Sequence, residues 1–366
     1  MYKNNRDNVR RKFMNKKLKE IPIFFATDDN YVPFLVVTIR SLIDSSSKGN
    51  MYKLHILNNG ISEESKKILT DMELDNVKIY FEDISSKVDV IWHKLKAQLR
   101  DYYSPAIYYR LFIPSLFPQY KKALYLDCDI AIIRDIADLY NINLGNNLIG
   151  GCIDEVVANS PIFSNYMANG VGVVQERYFN SGIIVMNLEE FRKEDIENKF
   201  LYLLNNYPFS AVCPDQDYLN ILCKDRVKYL EPGWDKMPSG GPLPDEKKLY
   251  LVHYNMFDKP WRYYGVLYEN YFWDAAKKTQ YYDMLVKMRE DYGDERREKD
   301  KQSLQNLLEY ANKVANDPNN FKKTLDRERE LLAVKQQMEI KSNEDFNILD
   351  DFLNLFFDEI PTLSEC

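Results

Sequence analysis

Short apolar runs that alternate with amphipathic stretches constrain this sequence more than any other feature. Between residues 21 and 261, eight such runs are separated by longer stretches with helical periodicity or turn residues. This alternation is typical of an α/β fold, in which helices cover a mainly parallel sheet. The runs are Ile23–Ala26, Lys53–Leu57, Lys78–Phe81, Ala123–Leu126, Leu148–Cys152, Ile183–Met186, Val227–Leu230 and Leu249–His253.

Composition divides the 366 residues into three segments. Residues 1–20 carry eight Lys or Arg and no apolar run, which predicts a basic leader and not a signal peptide. Residues 21–275 form the predicted α/β domain, and Pro, Gly and Ser between 232 and 244 predict a long surface loop within it. Residues 276–366 have helical periodicity, so we expect a helical C-terminal extension with a hairpin broken at 316–318.

The end of the chain combines acidic charge with an apolar stripe. Residues 343–366 contain seven acidic residues, no Lys or Arg, and large apolar residues at helical spacing. Such a stripe must be buried, and anionic lipid should repel the acidic charge. We therefore expect this stretch to pack on residues 304–314 or on a second subunit in a homo-oligomer. The basic leader is the better candidate for a peripheral membrane contact.

Composition also excludes several classes of protein. A net charge of −7 makes nucleic acid an unsuitable main partner, so we expect none. No run reaches the 18 or so uncharged apolar residues of a membrane-spanning helix. The five cysteines are widely spaced, which is typical of reduced thiols. We therefore expect a cytoplasmic protein, with a peripheral position at the inner membrane face as the alternative.

The strongest chemical signal is a pair of carboxylates at the end of the fourth run. Asp127 and Asp129 follow Ala123–Leu126, and ligands of open α/β sheets bind beyond the carboxyl ends of strands. Oxygen ligands at this spacing suit Mg²⁺ or Mn²⁺ that holds a diphosphate. The motif alone is weak evidence, because Asp215–Asp217 has the same pattern and most such tripeptides are turns or caps.

Five stretches in order resemble the retaining glycosyltransferases of family 8, which have a GT-A fold and use UDP-sugars. The resemblance covers about residues 21–275 and implies a Rossmann-like GT-A catalytic domain with a mainly parallel sheet. The matching stretches are Ala26–Tyr31, Ala123–Asp129, Tyr178–Gly182, Pro214–Asp217 and His253–Trp261.

The resemblance implies that Asp127, Asp129 and His253 bind one divalent cation. His253 also ends an apolar run, where a lone histidine is more often structural. An imidazole beside two carboxylates favours Mn²⁺, with Mg²⁺ as the alternative. The chain departs from the family pattern at Met256, where a glycine is common.

The resemblance also implies a UDP-sugar donor at the same edge of the sheet. Asp28 and Asn30 would bind the uracil edge, although both could belong to a turn that caps the following helix. Arg110 would contact the diphosphate or a sugar hydroxyl, and Lys259 would offer a point charge to phosphate. The expected donor-binding residues are Ala26, Thr27, Asp28, Asn30, Arg110, Asp127, Cys128 and Lys259.

The residues expected near the sugar and the acceptor are Gln216, Asp215, Asp154 and Asn180. Retention requires either double displacement through an enzyme nucleophile or departure and attack on the same face of the sugar. The Gln216 amide is a poor nucleophile, and Asp215 and Asp217 are better ones that could cap the following helix instead. We favour same-face transfer with Gln216 positioning the sugar, and the sequence leaves both mechanisms open.

We therefore expect a metal-dependent enzyme that moves glucose or galactose from a UDP-sugar to a hydroxyl of a glycan, lipid-linked or protein acceptor. A sugar-1-phosphate nucleotidyltransferase also uses metal carboxylates, but it should have a glycine-rich phosphate loop after the first strand. A catalytically idle scaffold that acts through its helical tail should have lost a metal ligand, whereas all three are present.

Overall fold

A seven-stranded sheet forms the centre of the computed structural model, which describes residues 18–88, 105–207 and 210–337. Its strand order is β3-β2-β1-β4-β7-β6-β8, and seven of the eight predicted runs belong to it. The strands are β1 (Lys19–Ala26), β2 (Asn50–Asn58), β3 (Val77–Asp83), β4 (Ala123–Leu126), β5 (Ile130–Ile132), β6 (Ile149–Ile153), β7 (Phe179–Met186), β8 (Val227–Tyr229) and β9 (Leu251–His253).

The prediction of a mainly parallel sheet is confirmed, with β7 as the exception. Strands β1 to β4 run parallel, whereas β7 is antiparallel to both β4 and β6. Because β7 is reversed, its first residues lie at the edge where β1 and β4 end. Leu126 is paired with Ile183, which places Asn180 and Gly182 beside the residues that follow β4.

The eighth run does not belong to the main sheet. Strand β9 pairs antiparallel with β5 in a separate two-stranded ribbon, and His253 lies opposite Ile130. Strand β5 has only three residues and follows Asp129 directly, so the sequence showed no separate run there. The ribbon thus connects the end of β4 with the end of β9.

Helices pack on both faces of the sheet. Alternate residues of β1 enter two hydrophobic clusters, Phe24 in one and Phe25 in the other, as the pleat requires. The α-helices of the described residues are α1 (Val32–Ser45), α2 (Glu63–Thr70), α3 (Ser85–Val88), α4 (Ile113–Leu116), α5 (Ile136–Asn141), α6 (Glu155–Ala158), α7 (Pro161–Tyr166), α8 (Leu188–Lys193), α9 (Ile196–Asn206), α10 (Pro214–Leu222), α11 (Glu269–Ala276), α12 (Tyr282–Glu290), α13 (Asp294–Asn316) and α14 (Phe321–Gln337). Arg110 lies on a 3-10 helix, Pro105–Phe112.

The last two described helices are separated at the expected break, and both pack on the sheet domain. Helix α13 ends at Asn316, and α14 begins at Phe321. Leu307 and Val314 are buried in the cluster that holds Phe163 of α7, so this face of α13 is covered by its own domain. Residues 343–366, which we expected to pack on 304–314, and residues 1–17 of the basic leader lie outside the described residues.

The expectation of a surface loop at 232–244 is wrong for residues 233–238, which are buried. The segment lies beside β9, because the Lys236 N–H donates to the Leu251 carbonyl at 3.1 Å and the Lys236 carbonyl accepts from the His253 N–H at 2.9 Å. Gly233 allows this approach, since a Cβ there would lie 1.7 Å from the Lys248 carbonyl oxygen.

Among the helices that the structure describes, none is both long enough and apolar enough to cross a membrane.

Candidate active site

The β5–β9 ribbon brings the three predicted metal ligands together. Their ligand atoms all lie within 4.8 Å of one another. His253 Nε2 is 3.7 Å from Asp127 Oδ2 and 3.5 Å from Asp129 Oδ1. Asp129 Oδ1 is buried and has no hydrogen-bond partner among the described residues, so it is available to a cation. Two carboxylates and an imidazole are a suitable donor set for a divalent transition metal.

Gly182 keeps the space between these ligands open. Its carbonyl accepts from the Asp127 N–H at 2.8 Å, which fixes the residue beside the end of β4. A Cβ at Gly182 would lie 2.5 Å from Asp127 Oδ2 and 2.5 Å from His253 Cε1. A side chain at position 182 would therefore displace two of the three ligands.

Asp235 orients the imidazole, and sequence reasoning missed it because it lies in the segment interpreted as a surface loop. His253 Nδ1 is 2.9 Å from Asp235 Oδ1, which leaves Nε2 directed at the carboxylates. Carboxylates behind a metal-ligating histidine fix its orientation and raise its basicity. Burial alone would lower the pKa of His253, but the carboxylates of Asp235 and Asp129 raise it to about 10.

Two basic side chains pair with the carboxylates of the predicted metal ligands. The Lys259 ammonium pairs with Asp129 Oδ2. Arg110 pairs with Asp127 at 3.0 Å and with Asp215 at 3.2 Å. Its guanidinium also lies 4.0 Å from the centre of the Tyr125 ring. Arg110 therefore connects the metal ligands with the start of α10.

A buried hydrogen-bond cluster joins the residues expected near the sugar. Gln216 donates to Asp154 at 2.9 Å and accepts from the Ser181 N–H at 3.0 Å. Asn180 donates to the same Asp154 oxygen at 3.1 Å. The other Asp154 oxygen accepts two backbone N–H groups at the start of α6. The nitrogen and the oxygen of the Gln216 amide thus each have a hydrogen-bond partner, and so do both carboxylate oxygens of Asp154.

Asp215 and Asp217, the alternative nucleophiles, have different partners. Asp217 accepts hydrogen bonds from the hydroxyls of Tyr166 and Tyr178 at 2.7 and 2.6 Å, and from the N–H groups of residues 212–213. Burial raises its pKa to about 6. The Asp215 carboxylate accepts from a serine hydroxyl at 2.9 Å in addition to its guanidinium partner. Asp217 therefore anchors the segment before α10, and Asp215 faces the site.

The turn that the sequence left open as an alternative is present at the end of β1. Asp28 accepts from the Tyr31 N–H at 3.2 Å in a turn. Asp29 instead accepts from the Ser62 N–H at 3.1 Å and ties the turn to the start of α2. Asn30 is exposed at the mouth of the site. The turn thus leaves Ala26, Thr27, Asp28 and Asn30 along one wall of the site.

All fourteen predicted site residues line one cavity of about 660 Å³, a volume suited to a small-molecule substrate. The cavity runs from Ala26, Thr27, Asp28 and Asn30 past Asp127, Cys128, Asp129, His253 and Lys259 to Arg110, Asp154, Asn180, Asp215 and Gln216. Residues that sequence reasoning did not single out also line it, among them Ser181, Gly182, Arg262 and Leu307.

Met256, which replaces a common glycine of the family, keeps the backbone conformation that glycine favours. Its φ angle is 51°, in the left-handed region that costs an ordinary residue roughly 1–2 kcal/mol. The side chain is partly buried and lines the cavity. The backbone path is therefore kept, and a thioether is added to the cavity wall.

Comparisons with known proteins agree with this geometry. Residues 22–265 match the model of glycosyl transferase family 8. A putative glycosyltransferase of Haemophilus influenzae is 28% identical over 231 residues, which cover 63% of this chain and 67% of that protein. The glycosyltransferase GlyB of Streptococcus pneumoniae is 31% identical over 221 residues, which cover 59% of this chain and 48% of GlyB.

Solved structures show the same architecture. The bifunctional glycosyltransferase WbbM aligns over 75% of this chain and 52% of its own, with a TM-score of 0.64 and 24% identity. The galactosyltransferase LgtC, solved with donor and acceptor sugar analogues, aligns over 71% of this chain and 96% of its own, with a TM-score of 0.60 and 23% identity. The fold is GT-A, and the protein is a glycosyltransferase. The chain belongs to glycosyltransferase family 8.

The space beside Gly182 makes a first prediction. Gly182→Ala should weaken Mn²⁺ binding by at least about tenfold, because the added methyl group displaces Asp127 and His253 from a common centre. Isothermal titration with Mn²⁺ measures the effect, and circular dichroism checks the fold. Gly49→Ala is the matched control, since the only neighbour of its Cβ is the Ser47 hydroxyl at 3.4 Å. Equal Mn²⁺ affinity in Gly182→Ala and the wild type would contradict this geometry.

The raised pKa of His253 makes a second prediction. With a pKa of about 10, the imidazole is protonated at pH 7 in the metal-free protein and must lose that proton to bind a metal. Mn²⁺ titrations at pH 7 in buffers of different ionisation enthalpy should therefore show release of about one proton per ion. The apparent affinity should fall as the pH falls, because protons compete for the imidazole. Binding without proton release would show that His253 is not protonated beforehand or is not a ligand.

Proposed function

We propose that the protein moves a hexose, glucose or galactose, from a UDP-sugar to a hydroxyl of a glycan, lipid-linked or protein acceptor, with retention at the anomeric carbon. The observation that carries the proposal is the convergence, in one cavity, of the metal-ligand triad, the β1 turn and the Gln216 cluster. This arrangement would provide sites for a nucleotide, a cation and a sugar in sequence along one cavity.

Asp127, Asp129 and His253 would hold the cation, and the imidazole in this set favours Mn²⁺ over Mg²⁺. When bound, the cation supplies Lewis-acid stabilisation of the charge on the diphosphate. Lys259 pairs with Asp129, and Arg110 pairs with Asp127. Beside a bound cation, both basic groups would donate to phosphate oxygens.

The β1 turn would bind the uridine. Asp28 and Asn30 offer a carboxylate and an amide to the uracil edge, which needs both a donor and an acceptor. Ala26 and Thr27 lie at the strand end, and the Cys128 thiol donates to the Ala26 carbonyl at 3.2 Å. This contact holds the end of β1, which would bind the nucleotide, against the residues that follow β4.

The partners of Asp154 and Asp215 support same-face transfer over double displacement. Both oxygens of Asp154 already accept hydrogen bonds, and Asp215 is held by Arg110 and Ser181. A carboxylate with these partners is a weak nucleophile. Gln216 would instead position the sugar and stabilise its positive charge, with Asp154 and the Ser181 N–H fixing the amide. The leaving diphosphate oxygen would help to take the acceptor proton.

Several finer expectations stay predictions. They are the cytoplasmic location, the membrane contact through the basic leader and the oligomer contact through the C-terminal helices. Most residues that would make these contacts lie outside the described ranges.

Turnover of UDP-sugars tests the proposal. With Mn²⁺ and UDP-glucose or UDP-galactose, the wild type should release UDP, and Gln216→Ala should slow this release by roughly 100-fold. The UDP dissociation constant of the variant should stay within about threefold, because Gln216 faces the sugar and not the nucleotide. Gln305→Ala, an exposed site on α13, is the matched control and should behave as the wild type.

Two outcomes would contradict the proposal. A wild type that releases UDP from neither donor would contradict the donor class. A Gln216→Ala variant that loses UDP affinity in proportion to its rate would move Gln216 out of the sugar site.

A further inference from the structure

Helix α13 contributes to the cavity although it lies beyond the residues that match the family model. The matched region ends at residue 265, whereas α13 spans Asp294–Asn316. Leu307 of this helix lines the cavity. Asp300 lies seven residues earlier, which is two turns away on the same face of the helix. The C-terminal extension therefore has one face directed at the candidate site.

Asp300 is the centre of a polar cluster on that face. Its carboxylate accepts hydrogen bonds from the hydroxyls of Tyr263 at 2.9 Å and Tyr292 at 2.7 Å. The same oxygen is 3.5 Å from a terminal nitrogen of Arg262. The rings of Tyr263 and Tyr292 meet edge to face at 5.6 Å, and the guanidinium lies 5.5 Å from the Tyr292 ring centre. These contacts fix the orientation of the Arg262 side chain.

Arg262 lies at the cation and nucleotide end of the cavity, which it lines. Its N–H donates to the Lys259 carbonyl at 2.9 Å, so it follows the metal-site lysine by one turn. Trp261 between them stacks on Phe34 of α1 at 4.1 Å, which anchors the segment beside the β1 turn. Tyr31 of the β1 turn and Arg262 line the same cavity.

Two arginines and a lysine line the cavity, and they differ in how closely they are paired. Arg110 is 3.0 Å from one carboxylate and 3.2 Å from another, and Lys259 pairs directly with Asp129. The Arg262–Asp300 contact is longer, at 3.5 Å, and about a third of the Arg262 side chain is exposed (32%). A guanidinium held at one end, with donors still accessible, is suited to bidentate recognition of phosphate.

We propose that Arg262 binds a phosphate oxygen of the nucleoside diphosphate and that Asp300 of α13 is its positioning residue. This inference rests on the proposed function, because it assigns a contact to the same UDP-sugar donor. It makes nucleotide affinity depend on a helix outside the family-matched region. The two tyrosine hydroxyls then act on affinity through Asp300, without touching the nucleotide.

Nucleotide binding to the full chain tests the inference, with UDP and uridine titrated calorimetrically in the presence of Mn²⁺. Arg262→Ala should weaken UDP binding by about tenfold or more and leave uridine binding within about twofold, since uridine has no phosphate. Arg262→Lys should recover part of the lost affinity, because lysine restores the positive charge but not the paired donors of the planar guanidinium. The salt dependence of UDP binding should also fall in Arg262→Ala, a change that a purely structural role would not cause.

Two further variants test the positioning role of Asp300. Asp300→Asn and Tyr292→Phe should each weaken UDP binding by about threefold or more, with uridine unaffected. Glu298→Gln is the control on the same helix, because its pair with Lys301 is exposed and should contribute little. Thermal unfolding of each variant checks that the fold is kept.

The outcomes separate this inference from the proposed donor. A wild type that binds UDP together with an Arg262→Ala variant that binds it equally would overturn the inference alone. A wild type that binds no UDP would overturn the proposed donor and the inference with it. Equal losses of UDP and uridine binding in Arg262→Ala would show a structural effect and would also overturn the phosphate contact.

Discussion

The pairing of β5 with β9 is the interaction on which the site depends. It joins two segments more than a hundred residues apart, and its register places His253 opposite Ile130, the residue after Asp129. A shift of one residue would turn the imidazole to the other face of the ribbon and remove it from the two carboxylates. Strand β4 fixes the first carboxylate through the main sheet, and the ribbon fixes the third ligand.

A layer of supporting contacts then makes this arrangement rigid. Asp235 holds the imidazole from behind, and Lys236 pairs with Glu155 at the start of α6, one residue after Asp154. One buried segment therefore contacts both His253 and the residue next to Asp154. Arg110 connects the same two parts from the opposite side. Such second layers maintain the sub-ångström placement that binding and catalysis need.

Local patterns were enough to predict most of the sheet, whereas most of the residues that line the cavity were predicted from the resemblance to the family. Short apolar runs are visible in a single sequence, and polar residues at strand ends converge because parallel strands end at one edge. The reversal of β7 and the β5–β9 ribbon were not predictable, since a three-residue strand has no periodicity of its own. Residues 233–238 were interpreted as a surface loop because turn-forming residues are common there, and their burial depends on tertiary contact with β9. Asp300 gave no signal, because a carboxylate on a charged helix is normally solvated.

The central claim is that the two strand ends form a single divalent-cation site that also receives the nucleotide. Anomalous diffraction at the manganese edge, from crystals grown with Mn²⁺ and UDP, tests it most directly. The account predicts one strong peak within bonding distance of Asp127, Asp129 and His253, with UDP in contact with the same ion. UDP bound in the cavity without such a peak, or a peak away from these three side chains, would contradict it.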